Sequence, residues 1–192
     1  MTIPTSIKTA LAVVFLVALS GCMSPQGATI DAKRHDAKQM RSDTLAKLYR
    51  VRPHAKEQIA NARGYGVFSN IGINVFLLSA GNGWGVVRDN RSGKDIYMKM
   101  VSGGIGIGLG VKDFRGIFVF TSEDALRRFT EDGWDASGQA DAAAKAGKKG
   151  DAFAGAIDVA PGIKVYQITE HGLALQATIQ GTKYWRDPEL NL

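Results

Sequence analysis

The sequence predicts an α+β fold, a largely antiparallel, glycine-rich β-sheet with two N-terminal helices and one internal helix. Three observations predict it. Residues 31–62 space their apolar side chains as a helix does, whereas from Gly64 onward short apolar runs alternate with glycine and asparagine. Glycine is abundant, 23 of 192 residues, and proline scarce at 5, which favours tight turns and closely approaching strands over a helical bundle. Hydrophobic content of 45% and charged content of 22% are ordinary for a globular chain and exclude disorder throughout.

Taken in order, residues 1–21 read as a signal peptide. Lys8 is its only charge, and the apolar run that follows, residues 10–19, is too short to span a bilayer as a mature helix. Leu19-Ser20-Gly21-Cys22 resembles the bacterial lipobox, in which small residues precede a cysteine that is acylated before cleavage. The alternative is a chance cysteine after an ordinary signal peptide. Cys22 is the only cysteine, which leaves no intramolecular disulfide and no Cys-based metal site. Met23 follows it where Asp would favour inner-membrane retention. The expectation is therefore an acylated, palmitate-bearing lipoprotein of the cell envelope, anchored in the outer membrane and facing the periplasm. Acyl chains contribute about 0.8 kcal/mol per buried methylene, so the anchor is durable.

Residues 22–30, with Ser24, Pro25, Gln26 and Gly27, read as a flexible tether, and residues 31–192 as a single domain. Leu45, Leu48 and Tyr49 mark a helical face that Asp43 is placed to cap; Pro53 suits the first turn of a second helix, and Gly64 ends it. Short strands follow at 67–68, 75–78 and 84–87, then at 96–101, 105–111 and 116–120, with Asp89-Asn90-Arg91-Ser92-Gly93 as a hairpin turn. Thr121-Ser122-Glu123-Asp124 matches a capping box that opens a helix to about Thr130, with Leu126 and Phe129 inward. Residues 136–155 read as a loop, and strands at 163–169 and 173–179, joined by a turn at His171-Gly172, close the domain.

Charge is unevenly placed. Residues 31–63 hold nine Lys or Arg against four Asp or Glu, a net of +5, whereas residues 64–192 hold fourteen of each. A solvated helix face explains such a run; so does attraction to anionic headgroups, where each basic residue contributes about 1 kcal/mol. On the second reading Lys33, Arg34, Lys38, Arg41, Lys47, Arg50 and Arg52 are the candidate lipid-binding residues.

Gly104, Gly106, Gly108 and Gly110 alternate with Ile and Leu at period two, so they line one face of a strand and form no nucleotide-binding loop. A bare face admits either dense packing against protein or an apolar groove for a lipid tail. No sequence pattern carries a catalytic mechanism. His35, His54 and His171 are scattered without metal-ligand spacing, and there is no G-x-S-x-G. Asp113, Glu123 and Asp124 are explained by turn and cap roles. No enzyme activity, cofactor, metal or nucleic-acid partner is expected. Trp84, Trp134 and Trp185 read as core aromatics, with Tyr184-Trp185-Arg186 as an alternative membrane-interface belt.

Several blocks together resemble the SYLF domain family over residues 43–184. Leu45-Ala46-Lys47-Leu48-Tyr49 is similar to its opening helix, and Ala62-Arg63-Gly64-Tyr65-Gly66-Val67-Phe68 to its next block, with Ser69 where the family usually has proline. Gly81-Asn82-Gly83-Trp84-Gly85-Val86 resembles its paired-glycine hairpin, and residues 103–110 its glycine-rich strand. Val119-Phe120-Thr121, with Ala125-Leu126 and Phe129, resembles its strand-to-helix step, and Val165-Tyr166, Gly172-Leu173 and Gly181 its closing hairpin. The resemblance implies lipid binding; the actin binding of some fungal members is not expected in a bacterial envelope. The expected function is thus non-catalytic binding of anionic membrane phospholipid. The alternative is a structural envelope lipoprotein that binds a protein or peptidoglycan partner.

Overall fold

A computed structural model describes residues 24–135, 156–169, 172–173 and 182–192, with the backbone alone for 71–79, 104–114, 169 and 172–173. The expected signal peptide at 1–21, Cys22, the loop expected at 136–155, His171, Gly181 and most of the strand expected at 173–179 lie outside the described residues. Among the described residues, three helices and seven antiparallel strands give the α+β class the sequence predicts.

Helix α1 (Ile30–Val51) begins where the Thr29 side chain accepts the Ala32 N–H at 3.1 Å, and Asp31 in its first turn suits the positive end of the helix dipole. It runs through Asp43, which accepts a hydrogen bond from Gln39 within the helix and caps nothing. The helix stops at Arg52, whose φ of −142° and ψ of 80° reflect the steric demand of Pro53 on the residue before it. Helix α2 (His54–Asn61) follows and buries Ala55 and Ile59.

The six short strands expected between 67 and 120 are two long ones, β1 (Gly64–Asp89) and β2 (Asp95–Phe120), paired along their whole length. Glycine and asparagine weaken a strand locally, but here the partner strand closes the ladder across them, with one register shift between Phe76 and Leu78. The turn at 89–93 forms as its residues predict. The Asp89 carboxylate accepts the Arg91 and Ser92 N–H groups at 2.8 and 3.2 Å, and Gly93 supplies a φ of 69°.

This hairpin doubles back on itself, so the start of β1 lies against its end. A Cβ on Gly83 would strike the Ser69 carbonyl oxygen. One on Gly85 would strike the Phe68 ring and the Val67 carbonyl, and one on Gly64 would come within 2.6 Å of the Arg88 carbonyl. Polar contacts pin the same crossing. The Arg63 guanidinium pairs with the Asp89 carboxylate, and the Asn90 side-chain amide donates to the Ile59 and Ala62 carbonyls at 2.8 and 3.0 Å.

Strand β2 is the hub of the sheet. On the edge opposite β1 it pairs with β5 (Ile163–Thr169) through residues 114–120 and with β7 (Thr182–Arg186) through residues 98–102. Strands β4 (Ile157–Ala160) and β6 (Gly172–Leu173) flank β5, and β3 (Trp134–Asp135) flanks β7. The sequence predicted none of β3, β4 and β7, because two to five residues are too few to display a period-two pattern. Gly172 stands within β6, paired with Thr169, rather than in the turn.

The inner face of the curled sheet holds the main core, Phe68, Phe118, Phe120, Phe129 and Tyr184 with the half-buried Trp134. The Phe68 and Tyr184 rings meet edge to face at 4.9 Å. Phe129 is delivered by α3 (Glu123–Arg127), which widens into a π-helical turn at Arg128–Asp132. The expected capping box does not form. Ser122 is the cap, accepting from Ala125 N–H at 3.2 Å, while the Thr121 backbone N–H and hydroxyl are both committed to the Gly162 carbonyl. On the outer face, α1 and α2 cover Val67, Ile117, Val119, Tyr166 and Ile168 at one end, and α1 covers Val86 and Tyr97 at the other.

Two outcomes follow. Gly83→Val should lower stability by about 1–3 kcal/mol through overpacking at the crossing, whereas Gly103→Ala, whose Cβ would meet nothing within 4 Å, should melt like the parent; equal melting points for the two variants would contradict the crossing. Hydrogen bonding from Arg63, reinforced by Ser92 and Arg91, holds the Asp89 carboxyl well below the usual carboxylate range. A depressed folded value means stability that is complete above the unfolded value of about 4 and lost as pH falls below it. The melting-point gap between parent and Asp89→Asn should therefore be widest at neutral pH and narrow near about pH 3; a gap independent of pH would exclude this pair as a source of acid sensitivity.

Candidate functional site

The basic residues of α1 divide by what they touch. Lys33 pairs with Glu189 at 2.6 Å. Arg34 donates to the Leu190 and Leu192 carbonyls at 3.0 and 2.9 Å, and its guanidinium carbon lies 5.9 Å from the centre of the Tyr97 ring. Arg41 pairs at 2.6 Å with Asp95, which Arg88 also holds at 2.9 Å, all three side chains being largely buried. Arg52 is half-buried, with its Nε lacking a hydrogen-bond partner among the described residues. Lys38, Lys47 and Arg50 are exposed and form no ion pair among the described residues. At about 100° per residue, Lys38 and Lys47 stand on opposite flanks of the outward side, with Arg50 between them. The seven candidates are thus not one surface; three of them fasten α1 to the sheet and the C-terminal tail.

That tail is built in detail. Asp187 is buried, accepts the Glu189 and Leu190 N–H groups at 2.8 and 3.2 Å, and lies 3.3 Å from the Lys99 ammonium. The Asn191 side chain accepts from the Tyr97 N–H at 3.0 Å and donates to the Tyr97 carbonyl at 2.7 Å, replacing a strand's peptide on the edge of β2. Leu190 packs with Ala37, Val86 and Tyr97. Sequence reasoning passed over Asp187 and Asn191, since a lone Asp and a lone Asn near a terminus carry no local signal. It also passed over Asn70, buried next to Ser69 with its side-chain oxygen lacking a partner among the described residues.

The stretch expected as a flexible tether is fastened from its fourth residue onward. Pro25 is buried, the Gln26 N–H donates to Asp36 at 2.8 Å, and Thr29 caps α1. Cys22 itself lies outside the described residues.

Gly104, Gly106, Gly108 and Gly110 lie within β2, where Gly104 stands opposite Ser79, Gly108 opposite Phe76 and Gly110 opposite Asn74, with the register shift at Gly106. What packs on that face falls outside the described side chains. Of the tryptophans, Trp134 packs on the inner core and Trp84 on the outer, whereas Trp185 is 41% exposed. Tyr184, grouped with Trp185 in the interface-belt alternative, is instead core, and burial pushes its hydroxyl pKa strongly up. His35 and His54 are exposed, and among the described residues no group of His, Cys, Asp or Glu is arranged to hold a metal. Glu123 is used by Arg91 and Arg63, and Asp124 by Arg127 and Arg128. No helix of the described residues is long and apolar enough to cross a membrane.

Reversal of charge should separate the two kinds of cation. Arg41→Glu leaves Asp95 facing a new carboxylate in a largely buried position and should cost about 2 kcal/mol or more, while Lys38→Glu should leave the melting point within about 0.5 kcal/mol of the parent. Equal melting of both variants would remove Arg41 from the structural group.

No family model matches the chain. It is 32% identical over 151 residues to a protein called beta cell expansion factor A from Aeromonas veronii, the alignment covering 79% of this chain and 56% of that protein. The chain therefore spans about half the length of the curated relative it matches.

Proposed function

We propose that the chain is a lipoprotein of the bacterial envelope, acylated on Cys22, whose domain associates with anionic membrane lipid without catalysing a reaction. One observation carries the reading. The first described residues after the lipobox are bound to the domain rather than free of it, so an anchor at Cys22 would hold the domain, and α1 in particular, against the bilayer. On α1 the exposed Lys38, Lys47 and Arg50 are uncompensated by ion pairs among the described residues, and each contributes about 1 kcal/mol beside an anionic surface. Lys33, Arg34 and Arg41 are already committed to acceptors within the domain and add less. The resemblance of residues 43–184 to the lipid-binding SYLF domain supports the same reading, and Met23 after the cysteine supports the outer membrane. The Aeromonas veronii relative is named for expansion of beta cells, and an effect of that kind is a separate property to assay in this chain.

The test has two parts. In cells, Cys22→Ser should lose palmitate labelling and leave the membrane fraction. In vitro, the Cys22→Ser chain should co-sediment with phosphatidylglycerol vesicles in preference to neutral ones. Binding should weaken as salt shortens the Debye length from about 10 Å at 0.1 M to about 3 Å at 1 M. A Lys38→Glu, Lys47→Glu, Arg50→Glu chain should bind weakly at every salt concentration and melt like the parent. Sedimentation with neither vesicle would favour the alternative, a structural lipoprotein that engages a protein or peptidoglycan partner.

A further inference from the structure

We propose that the uncovered end of the outer sheet face, formed by β1, β2 and β7 around Trp185 and Val101, is the surface that lies on the bilayer when Cys22 is acylated; this rests on the reading of Cys22 as the anchor. Residues directly opposite one another on neighbouring strands present their side chains to the same face. Trp84 stands opposite Lys99, and Lys99 opposite Trp185, so the three make one row across the sheet. Asn82, Val101 and Lys183 make the next row, and Ala80 with Gly103 the one after.

Toward the hairpin turn this face is covered. Ile30, Ala37 and Leu190 pack on Val86 and Tyr97, and Arg41 binds Asp95. Among the described residues the cover ends at the Trp84–Lys99–Trp185 row. Beyond it Trp185 is 41% and Val101 44% exposed, and a Cβ on Gly103 would meet nothing within 4 Å. Lys183 flanks the patch, pairing with Asp135 at its margin.

The occupant follows from where the chain leads. Ile30, the first residue of α1, packs in the same cluster as Trp84. The segment before it is tied to α1 by the Gln26–Asp36 hydrogen bond. Cys22 is two residues before Ser24, so their Cα atoms are at most about 8 Å apart. Acyl chains on Cys22 thus bring the headgroup layer to the N-terminal half of α1, beside the edge where the sheet face opens. An exposed indole ring among small apolar residues suits that layer, since the ring settles at headgroup depth.

The experiment uses the acylated chain in phosphatidylethanolamine–phosphatidylglycerol vesicles, with and without bromine on the lipid acyl chains. Trp84→Phe and Trp134→Phe leave Trp185 as the only indole, and a thermal melt checks that this chain folds. Trp185 emission should shift to the blue and be quenched by the brominated lipid. In an independent measurement, Trp185→Ser with Val101→Ser in the Cys22→Ser chain should weaken vesicle binding about tenfold, as expected from withdrawing one large apolar contact. Trp185 quenched by aqueous acrylamide and untouched by brominated lipid, in a chain that labels with palmitate, would overturn the face and leave the anchor standing. Protection from both quenchers would place a protein partner there and overturn it likewise. Absence of palmitate labelling at Cys22 would overturn the face and the anchor together.

Discussion

The close crossing of β1 over itself is the constraint on which the rest of the structure depends. Gly83 and Gly85 give up their side chains so that one end of a 26-residue strand can press its backbone onto Val67, Phe68 and Ser69 at the other. The crossing turns a two-stranded ribbon into a curled sheet with an inside and an outside. The inside becomes an aromatic core in which Phe68 from one end of the ribbon meets Tyr184, carried on a strand paired to the other end. The outside becomes a continuous surface long enough for α1 to lie along. Arg63, Asp89 and Asn90 close the loop electrostatically, and the depressed Asp89 carboxyl reflects how strongly that closure favours the charged form.

The helical charge has a related logic. The surplus of positive charge between residues 31 and 63 invites a reading in terms of headgroups alone, yet much of it answers acids and carbonyls elsewhere in the chain. Arg41 meets Asp95 beside the hairpin turn, Lys33 meets Glu189, Arg34 meets the last carbonyls of the tail, and Arg63 meets Asp89. What remains for an external partner among the described residues is Lys38, Lys47, Arg50 and Lys56, with the half-buried Arg52. A net charge counted over a segment therefore overstates the charge that segment offers to solvent.

What was legible in the sequence was local. The turn at 89–93 could be read because Asp, Ser and Gly chemistry acts within five residues, and the break before Pro53 because one ring constrains the residue preceding it. The class of fold was legible from the switch between helical and strand-like spacing at Gly64. The length of β1 and β2 was not, because glycine and asparagine interruptions look like loop until a partner strand is known to run alongside. The purpose of Gly83 and Gly85 was hidden for a similar reason, since the backbone they accommodate lies well over ten residues earlier in the chain. The candidate site was legible as a basic helix next to a cysteine. Which cations are free, and that the supposed tether is fastened, depended on acceptors as distant in sequence as Asp95 and Glu189, and on a contact to Asp36 that no periodicity announces.

The hub position of β2 has a consequence for the order in which the molecule is made. Its first partner, β1, precedes it in the chain, so the long hairpin and the two helices that cover it have all their components by residue 120. The opposite edge of β2 must wait: residues 114–120 for β5 and residues 98–102 for β7, the last strand of all. A chain emerging N-terminus first therefore holds a bare sheet edge until β5 and β7 are made, and an inner core that gains Phe129 early but Tyr184 only with β7. An exposed edge in a partly folded chain pairs readily with any other edge, so the stretch between residue 120 and residue 186 is the interval of synthesis most open to misassociation.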